Sequence, residues 1–415
     1  MSFSPRGPDP EERERERNAL WEARIKELPV LPDPRPRALT PDSSFSSKSV
    51  SASYHAPRPL YQESCFWFRV PPNIRRDILR LAFGDARIHI ELEYNHPHIA
   101  SPGSSSLHCG IVVGPGVYAN EEPRVLDKTK PATWRWWSSK CHRWSPGETQ
   151  GLGPMTRTGA LGPWVDYCHD GSYSRICEAW KQLEGPLACH IGVMGWLLSC
   201  RQNYMETIDV LYSTNTLILD GSHMISRLPQ LLLPRRLEAV TSLEVNWPFK
   251  TNCNLSQSYD ELDKDHLNSI FDLLSPSQFP ALRQLYIWFS QDEDAYLNYS
   301  GLEVYHDIVI QHLDSFAQCM NHLKECAFAL PDFFYQTIHS EATEVCIKMG
   351  NGTKGYIHER SYRQVWRDIN GKMTVVKLPY VDSYPQPPYH LPREDDKVAG
   401  YWILEARAIW HLITF

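Results

Sequence analysis

Three things are scarce in this sequence. No apolar run is long enough to cross a bilayer: the longest apolar window, LACHIGVMGWLLSC from Leu187 to Cys200, falls short of the roughly 20 residues a spanning helix needs and contains His190. Positive charge is not concentrated either. The 415-residue chain carries a formal net charge of -7 with no long basic block, so it lacks the electrostatic footprint expected of a protein that binds a nucleic-acid backbone. A cysteine framework is also missing. The 11 cysteines are odd in number and scattered, as expected for buried thiols in a reducing compartment rather than for bridges. The opening MSFSPRGPDPEERERERN is polar throughout, without a charged-then-apolar leader. The expectation is an intracellular protein, in cytoplasm or nucleus, with protein partners and with neither membrane nor nucleic acid as a partner.

Proline and tryptophan are abundant, at 32 and 14 residues. Many of the prolines fall in residues 1–60, together with SSFSSKSVSAS, a composition that buries too little apolar area to offset the entropy of ordering. This reads as a disordered arm holding one short charged helix between Pro10 and Pro29, with Trp21, Ile25 and Leu28 on one face. Residues 61–94 hold the first globular signal. In VPPNIRRDILRLAFGD, Pro71 and Pro72 open a helix whose apolar positions are Ile74, Ile78 and Leu81, and Gly84 ends it. RIHIELEY then alternates Ile88, Ile90, Leu92 and Tyr94, a strand pattern. Residues 95–185 form a Trp-, Gly- and Pro-rich stretch that reads as an insertion folded back on the body by its aromatics.

Residues 186–330 carry the clearest architecture. His190 to Tyr212 has the spacing of one helix, with Val193, Leu197, Cys200, Tyr204, Ile208 and Leu211 on its apolar stripe, and an Asn-bearing turn at Asn215 leads to a strand at Thr216. Three later segments share a spacing: Val240-Thr-Ser-Leu-Glu-Val, Leu282-Arg-Gln-Leu-Tyr-Ile and Leu323-Lys-Glu-Cys-Ala-Phe. Each has apolar residues at its first, fourth and sixth positions, with helical patterns between, as expected of parallel strands joined by right-handed crossovers. With the Thr216 strand this gives four strand units in a short curved sheet. In residues 331–415 the expectation is a helix near Val345 and Ile347, a hairpin around Asn370-Gly371, a proline-spaced segment and an apolar tail, GYWILEARAIWHLITF, that packs on the body.

The blocks VPPNIRRDILRLAFGD, LLSCRQNYMETIDVLYSTNTLIL, LPQLLLPRRLEAVTSLEVNWPF and LPYVDSYPQPPYHLPREDDKVAGYWILEA, in this order, resemble a widespread filamentous-fungal family catalogued only as a domain of unknown function. The likeness spans about Glu63 to Glu405 and implies a fungal origin and no established activity. The first block also resembles the opening helix of an F-box, where a Leu-Pro-x-Glu-Ile pattern docks on the Skp-type adaptor of a cullin ubiquitin ligase. Here Asn73 stands where that pattern has Glu, and the Cys-Arg element arrives only at Cys200-Arg201. The resemblance implies adaptor contacts at Pro71, Pro72, Ile74, Ile78 and Leu79. The resulting fold expectation is α/β, with α+β as the alternative: a short leucine-rich-repeat-like parallel β/α array preceded by an F-box-like helix and a Trp-rich insertion.

Other chemistry has weaker warrant. The dipeptides Cys141-His142, Cys168-His169 and Cys189-His190, with His108-Cys109, offer zinc-type ligands, but adjacent residues point apart and zinc pairs are normally separated by two to four residues. No metal and no cofactor are expected, and no catalytic residue is assigned. GIVVGPG from Gly110 has glycines without the helical sequel of a phosphate loop. Trp134, Trp136, Trp137 and Trp144 in WRWWSSKCHRW read as contact aromatics for a protein partner. The functional expectation is non-catalytic protein recognition, as an F-box-like substrate receptor of a cullin ubiquitin ligase. The alternatives are a structural scaffold without an adaptor and a zinc-stapled domain or enzyme. Within LLSCRQNYMETIDVLYSTNTLIL, Arg201 is expected to pair with Asp77 of the first helix.

Overall fold

The computed structural model describes residues 66, 69–99, 107–108, 111–112, 125–141, 191–249, 251–252, 261–291, 305–348, 364–376 and 399–406. The expected arm at 1–60, its helix, and the proline-spaced segment lie outside these residues. In chain order the elements are helix α1 (Pro72–Phe83), strands β1 (Arg87–Asn95), β2 (Leu107–His108), β3 (Ile111–Val112) and β4 (Thr133–Lys140), helices α2 (Val193–Ser199) and α3 (Arg201–Thr214), and strand β5 (Thr216–Leu219). Short helices α4 (Ser222–Ser226), α5 (Leu228–Leu231) and α6 (Pro234–Ala239) lead to strands β6 (Ser242–Phe249), β7 (Thr251–Asn252) and β8 (Glu261–Leu262). Then follow α7 (Lys264–Leu273), β9 (Gln284–Gln291), α8 (His306–Cys319), β10 (Glu325–Pro331), α9 (Asp332–Lys348), β11 (Gln364–Asp368), β12 (Met373–Val376) and β13 (Gly400–Ala406).

Nine of the strands form one mixed sheet in the order β12-β11-β13-β10-β9-β6-β5-β1-β4. The run from β13 to β1 is parallel, and antiparallel strands close it at both ends. The architecture is therefore α/β. The three segments of shared spacing are neighbours in equal register: Leu243 lies opposite Leu285 and Leu285 opposite Cys326, while Val245, Ile287 and Phe328 line up one step on. That line continues across the whole sheet as Val375, Val365, Ile403, Phe328, Ile287, Val245, Leu219 and Ile90, and ends at Ser138 on β4. A single apolar row across eight strands must be covered. The crossovers from β5 to β10 all run in one direction across the sheet, so right-handedness puts their helices on that same side. Leu267 and Ile270 of α7, Val309 and Leu313 of α8 and Phe334 and Ile338 of α9 join the row in one core. Phe249, Phe271, Phe289, Phe316 and Phe328 interlock in it, with ring centroids between 4.9 and 6.4 Å apart.

The sheet is wider than four strands for two reasons. The stretch at 133–140 is not an appendage laid on the body: it is β4, paired with β1 residue for residue from Ile88↔Lys140 to Asn95↔Thr133. The apolar tail segment is strand β13, which enters parallel to β10 and separates it from β11. The hairpin around Asn370-Gly371 forms as the sequence indicates. Gly371 holds φ 85, where a side chain would be strained, and Asp368 Oδ1 accepts from the N–H groups of Asn370 and Lys372. The hairpin is fixed to the body by a polar joint. Arg367 donates to both oxygens of Asp314 at 2.9 and 2.8 Å, and the Tyr401 hydroxyl donates to Asp314 at 2.8 Å.

The helix expected to run from His190 to Tyr212 is two helices. It breaks at Cys200, which is extended (φ -162, ψ 161) and caps α3 by accepting from Asn203 N–H through its sulfur at 3.4 Å. Polar side chains at the joint explain the break: Asn203 donates to Ser199 Oγ, Ser199 to the Trp196 carbonyl and Trp196 Nε1 to Thr207 Oγ1. Of these, the Ser199 hydroxyl takes a carbonyl of the preceding helix, in competition with the helical ladder. Cys200 is half-buried rather than a core residue, and Tyr204 lies under the guanidinium of Arg236, 5.9 Å from its ring centroid.

Candidate protein-interaction surface

Helix α1 starts as its sequence demands. Pro72 occupies the first turn, where its missing N–H removes no helical bond. Positions 75, 79 and 83 then fall on one side of the helix at spacings of four, and this side faces the body. Arg75 donates through Nε and Nη2 to both carboxylate oxygens of Glu206 on α3, each at 2.9 Å, and through Nη1 to the Val70 carbonyl at 2.8 Å. Leu79 is 2% exposed. Phe83 lies 6.3 Å from the ring of Trp196 on α2. Leu79 is thus not available as a partner contact, because it shares the inward face with Arg75 and Phe83. Asp77 is half a helical turn away from Arg75 and points outward. Asp77 and Arg201 are both exposed, and the ion pair joining the two helices is Arg75 with Glu206 instead.

The far end of α1 is clipped to the end of α3. Asn215 is extended (φ -98, ψ 153) rather than left-handed, so its part is not that of a turn former. Its side chain is fully buried, donates to the carbonyls of Phe83 at 2.8 Å and Leu211 at 3.0 Å, and accepts from Ala86 N–H at 2.8 Å. Gly84 permits this approach: a Cβ there would lie 2.4 Å from Thr214 Oγ1 and 2.8 Å from the Arg80 carbonyl. Helices α1 and α2, both packed on α3, are therefore held together although more than a hundred residues separate α1 from α2 in sequence.

The apolar stripe read from the sequence of α1 faces away from this joint. Ile74 is 43% exposed, Ile78 41% and Leu81 86%, and Pro71 and Pro72 are exposed as well. On α2, Trp196 and Leu197 turn inward while Met194 and Leu198 are 62% and 71% exposed. Five of the eight exposed large apolar side chains among the described residues thus lie on these two helices, which is too many for chance scatter and marks a surface of distinct character. Spacing of four and three along α1 signalled an amphipathic helix; it gave no indication that the apolar side would face outward.

Of the Trp residues expected at a contact surface, Trp134, Trp136 and Trp137 sit on β4, with Trp136 exposed; Trp144 lies outside the described residues. Trp134 packs on Tyr94 of the neighbouring strand, and Trp137 stands beside the buried ring of His89. The cysteine–histidine dipeptides fall largely outside the described residues, apart from the buried Cys141 and His108 in β2. Among the described residues no group of three or more His, Cys, Asp or Glu side chains is placed to hold a metal ion. No described helix is long and apolar enough to cross a membrane. Burial pushes the thiol of Cys326 well above its ordinary range, so it stays protonated in the core. Burial likewise raises the pKa of the Glu325 carboxyl, partly opposed by the hydrogen bond it accepts from Gln284 Nε2 at 3.0 Å.

Residues 169–303 match a family model described as a domain of unknown function, DUF7730. The match covers about a third of the chain and takes in α2, α3 and the strands from β5 to β9, but neither α1 nor the C-terminal strands. No curated protein and no solved structure matches the chain.

Proposed function

We propose that this protein is a non-catalytic recognition protein that binds a Skp-type adaptor through α1 and α2, as an F-box-like substrate receptor of a cullin ubiquitin ligase. The observation that carries the reading is the outward apolar stripe Ile74, Ile78 and Leu81, joined by Met194 and Leu198 on a second helix braced by the same α3. The Cys-Arg element arrives late, at Cys200-Arg201, but it opens α3, the helix that packs on α1 and pairs with it through Arg75 and Glu206. Asn73 in place of the usual acidic residue is exposed and leaves the helix start intact. The parallel β/α region, read as a leucine-rich-repeat-like array, supplies the recognition part of the receptor.

The test is capture of a purified Skp-type adaptor by the full chain. Wild type should retain the adaptor, and Ile78→Asp combined with Leu81→Asp should lose it while the thermal midpoint stays unchanged, because neither side chain supports the core. No capture by wild type would remove the adaptor reading and leave the structural scaffold.

A further inference from the structure

Helix α1 and the N-terminal arm carry the same pattern. In α1 the outward apolar side chains Ile74, Ile78 and Leu81 stand four and three residues apart, and so do Trp21, Ile25 and Leu28 in the arm. This is the spacing at which two helices interlock side by side. The arm lies outside the described residues, but the place where it joins the body does not. Phe66 packs edge-on against Trp196 of α2, with ring centroids 5.7 Å apart, and the Val70 carbonyl accepts from Arg75. The chain thus reaches α1 beside the outward apolar surface of α1 and α2, and the arm is tethered at that point.

The tether makes a weak contact sufficient. A flexible connection of the length of residues 29–69 holds the arm at an effective concentration on the order of millimolar around α1. An isolated helix as short as the one between Pro10 and Pro29 is marginal in water, and burial of its apolar side is what stabilises it.

Charge selects one orientation. Asp77 is exposed at the rim of the outward apolar side of α1, one position before Ile78, and Arg24 holds the corresponding place before Ile25. Antiparallel packing in heptad register sets Leu28 against Pro71, Ile25 against Ile74 and Trp21 against Ile78, and brings Arg24 to Asp77. Parallel packing sets Arg24 beside Ala82 and Asp77 beside Pro29, which forms no ion pair. The antiparallel arrangement also returns Leu28 to the end of α1 at which the chain enters, so the connecting loop closes without spanning the helix.

We infer that residues 20–28 dock as an antiparallel helix on the outward stripe of α1, an autoinhibitory contact made by the protein's own arm. Its regulatory meaning rests on the reading of that stripe as the adaptor surface. Arm and adaptor compete for Ile74 and Ile78, and release of the arm opens the site.

The test is hydrogen exchange of the full chain followed by mass spectrometry, with a synthetic peptide of residues 10–30 as the reference for an undocked arm. Amides of residues 20–28 should exchange at least about threefold more slowly in the full chain than in the peptide. Ile78→Asp with Leu81→Asp should return them to the peptide rate, although these changes lie more than fifty residues away in sequence. Arg24→Asp or Asp77→Arg alone should weaken the protection, and the two together should recover it. Peptide-like rates in wild type, protection that survives the α1 substitutions, or no recovery in the exchanged pair would each overturn the inference. All of these positions on α1 are exposed, so unchanged melting curves show that the variants fold. Adaptor capture separates this inference from the reading beneath it: Trp21→Asp with Ile25→Asp should raise capture severalfold, and capture no greater than wild type would overturn the occlusion. Protected arm amides together with no capture by either form would instead remove the adaptor and leave the docked arm standing.

Discussion

The side-chain amide of Asn215 donates to the main-chain carbonyl of Phe83, 2.8 Å away in space and 132 residues away in sequence. One buried side chain thereby ends two helices at once and sets the step from each into its strand, β1 after α1 and β5 after α3. Replacing it with Ala strands the Phe83 and Leu211 carbonyls and the Ala86 N–H in a dry site. The expected loss is about 2–4 kcal/mol of unfolding free energy, read from urea midpoints at unchanged slope. A loss below about 0.5 kcal/mol would mean that water replaces the amide.

Helix α1 separates stability from surface character. Leu79→Ala should destabilise by about 2–4 kcal/mol, through lost burial and the cavity left behind. Leu81→Ala and Ile78→Ala, on the outward side, should each change stability by about 0.5 kcal/mol or less. Equal effects at Leu79 and Leu81 in thermal melts would contradict the orientation of the helix.

The Arg75–Glu206 pair is part-buried and bidentate, so it should exceed an ordinary surface pair and still be moderated by solvent. A double-mutant cycle with Arg75→Met and Glu206→Gln is expected to return a coupling of about 1–2 kcal/mol that shrinks in high salt. A coupling indistinguishable from zero would show that Asn215 and the apolar contacts alone hold α1 to α3.

Glu325 gives a pH dependence of definite sign. Its folded-state pKa is raised by burial, so the carboxylate is more easily ionised in the unfolded chain than in the native one. The native state is favoured below the unfolded-state value, and that advantage is lost as the pH rises through the folded-state value. At neutral pH the half-buried, partly desolvated charge is a burden, and Glu325→Gln, which can still accept from Gln284, should raise the melting temperature modestly. The gain should vanish under acid conditions where the wild-type carboxyl is already neutral; a gain of the same size at both pH values would refute the assignment.

Much of the sheet was legible because its strands follow local rules. Leu243, Leu285 and Cys326 declare their positions by spacing alone, and the Asn370-Gly371 turn by its backbone requirements. The width of the sheet was not legible. WRWWSSK shows no clean alternation, since β4 lies at an edge with only Ser139 fully buried, and GYWILEA is apolar on both faces because β13 is buried between two neighbours. The helix break at Cys200 escaped for a different reason: a cysteine is an uncommon cap, and its apolar ranking places it on the stripe. At the candidate surface, periodicity gave the stripe on α1 but not its direction. That direction depends on Arg75 finding Glu206, a contact over a separation of 131 residues that no local pattern encodes.

The position of β13 has a consequence for synthesis on the ribosome. Strands β11 and β12 are made before β13, yet the sheet order places β13 between them and β10. Until residues 400–406 emerge, β10 presents an open, apolar edge, and the finished hairpin has no neighbour to join. Nascent chains stalled or truncated before Gly400 should therefore be the aggregation-prone and chaperone-bound species, and release should depend on the arrival of Tyr401, Trp402, Ile403 and Leu404.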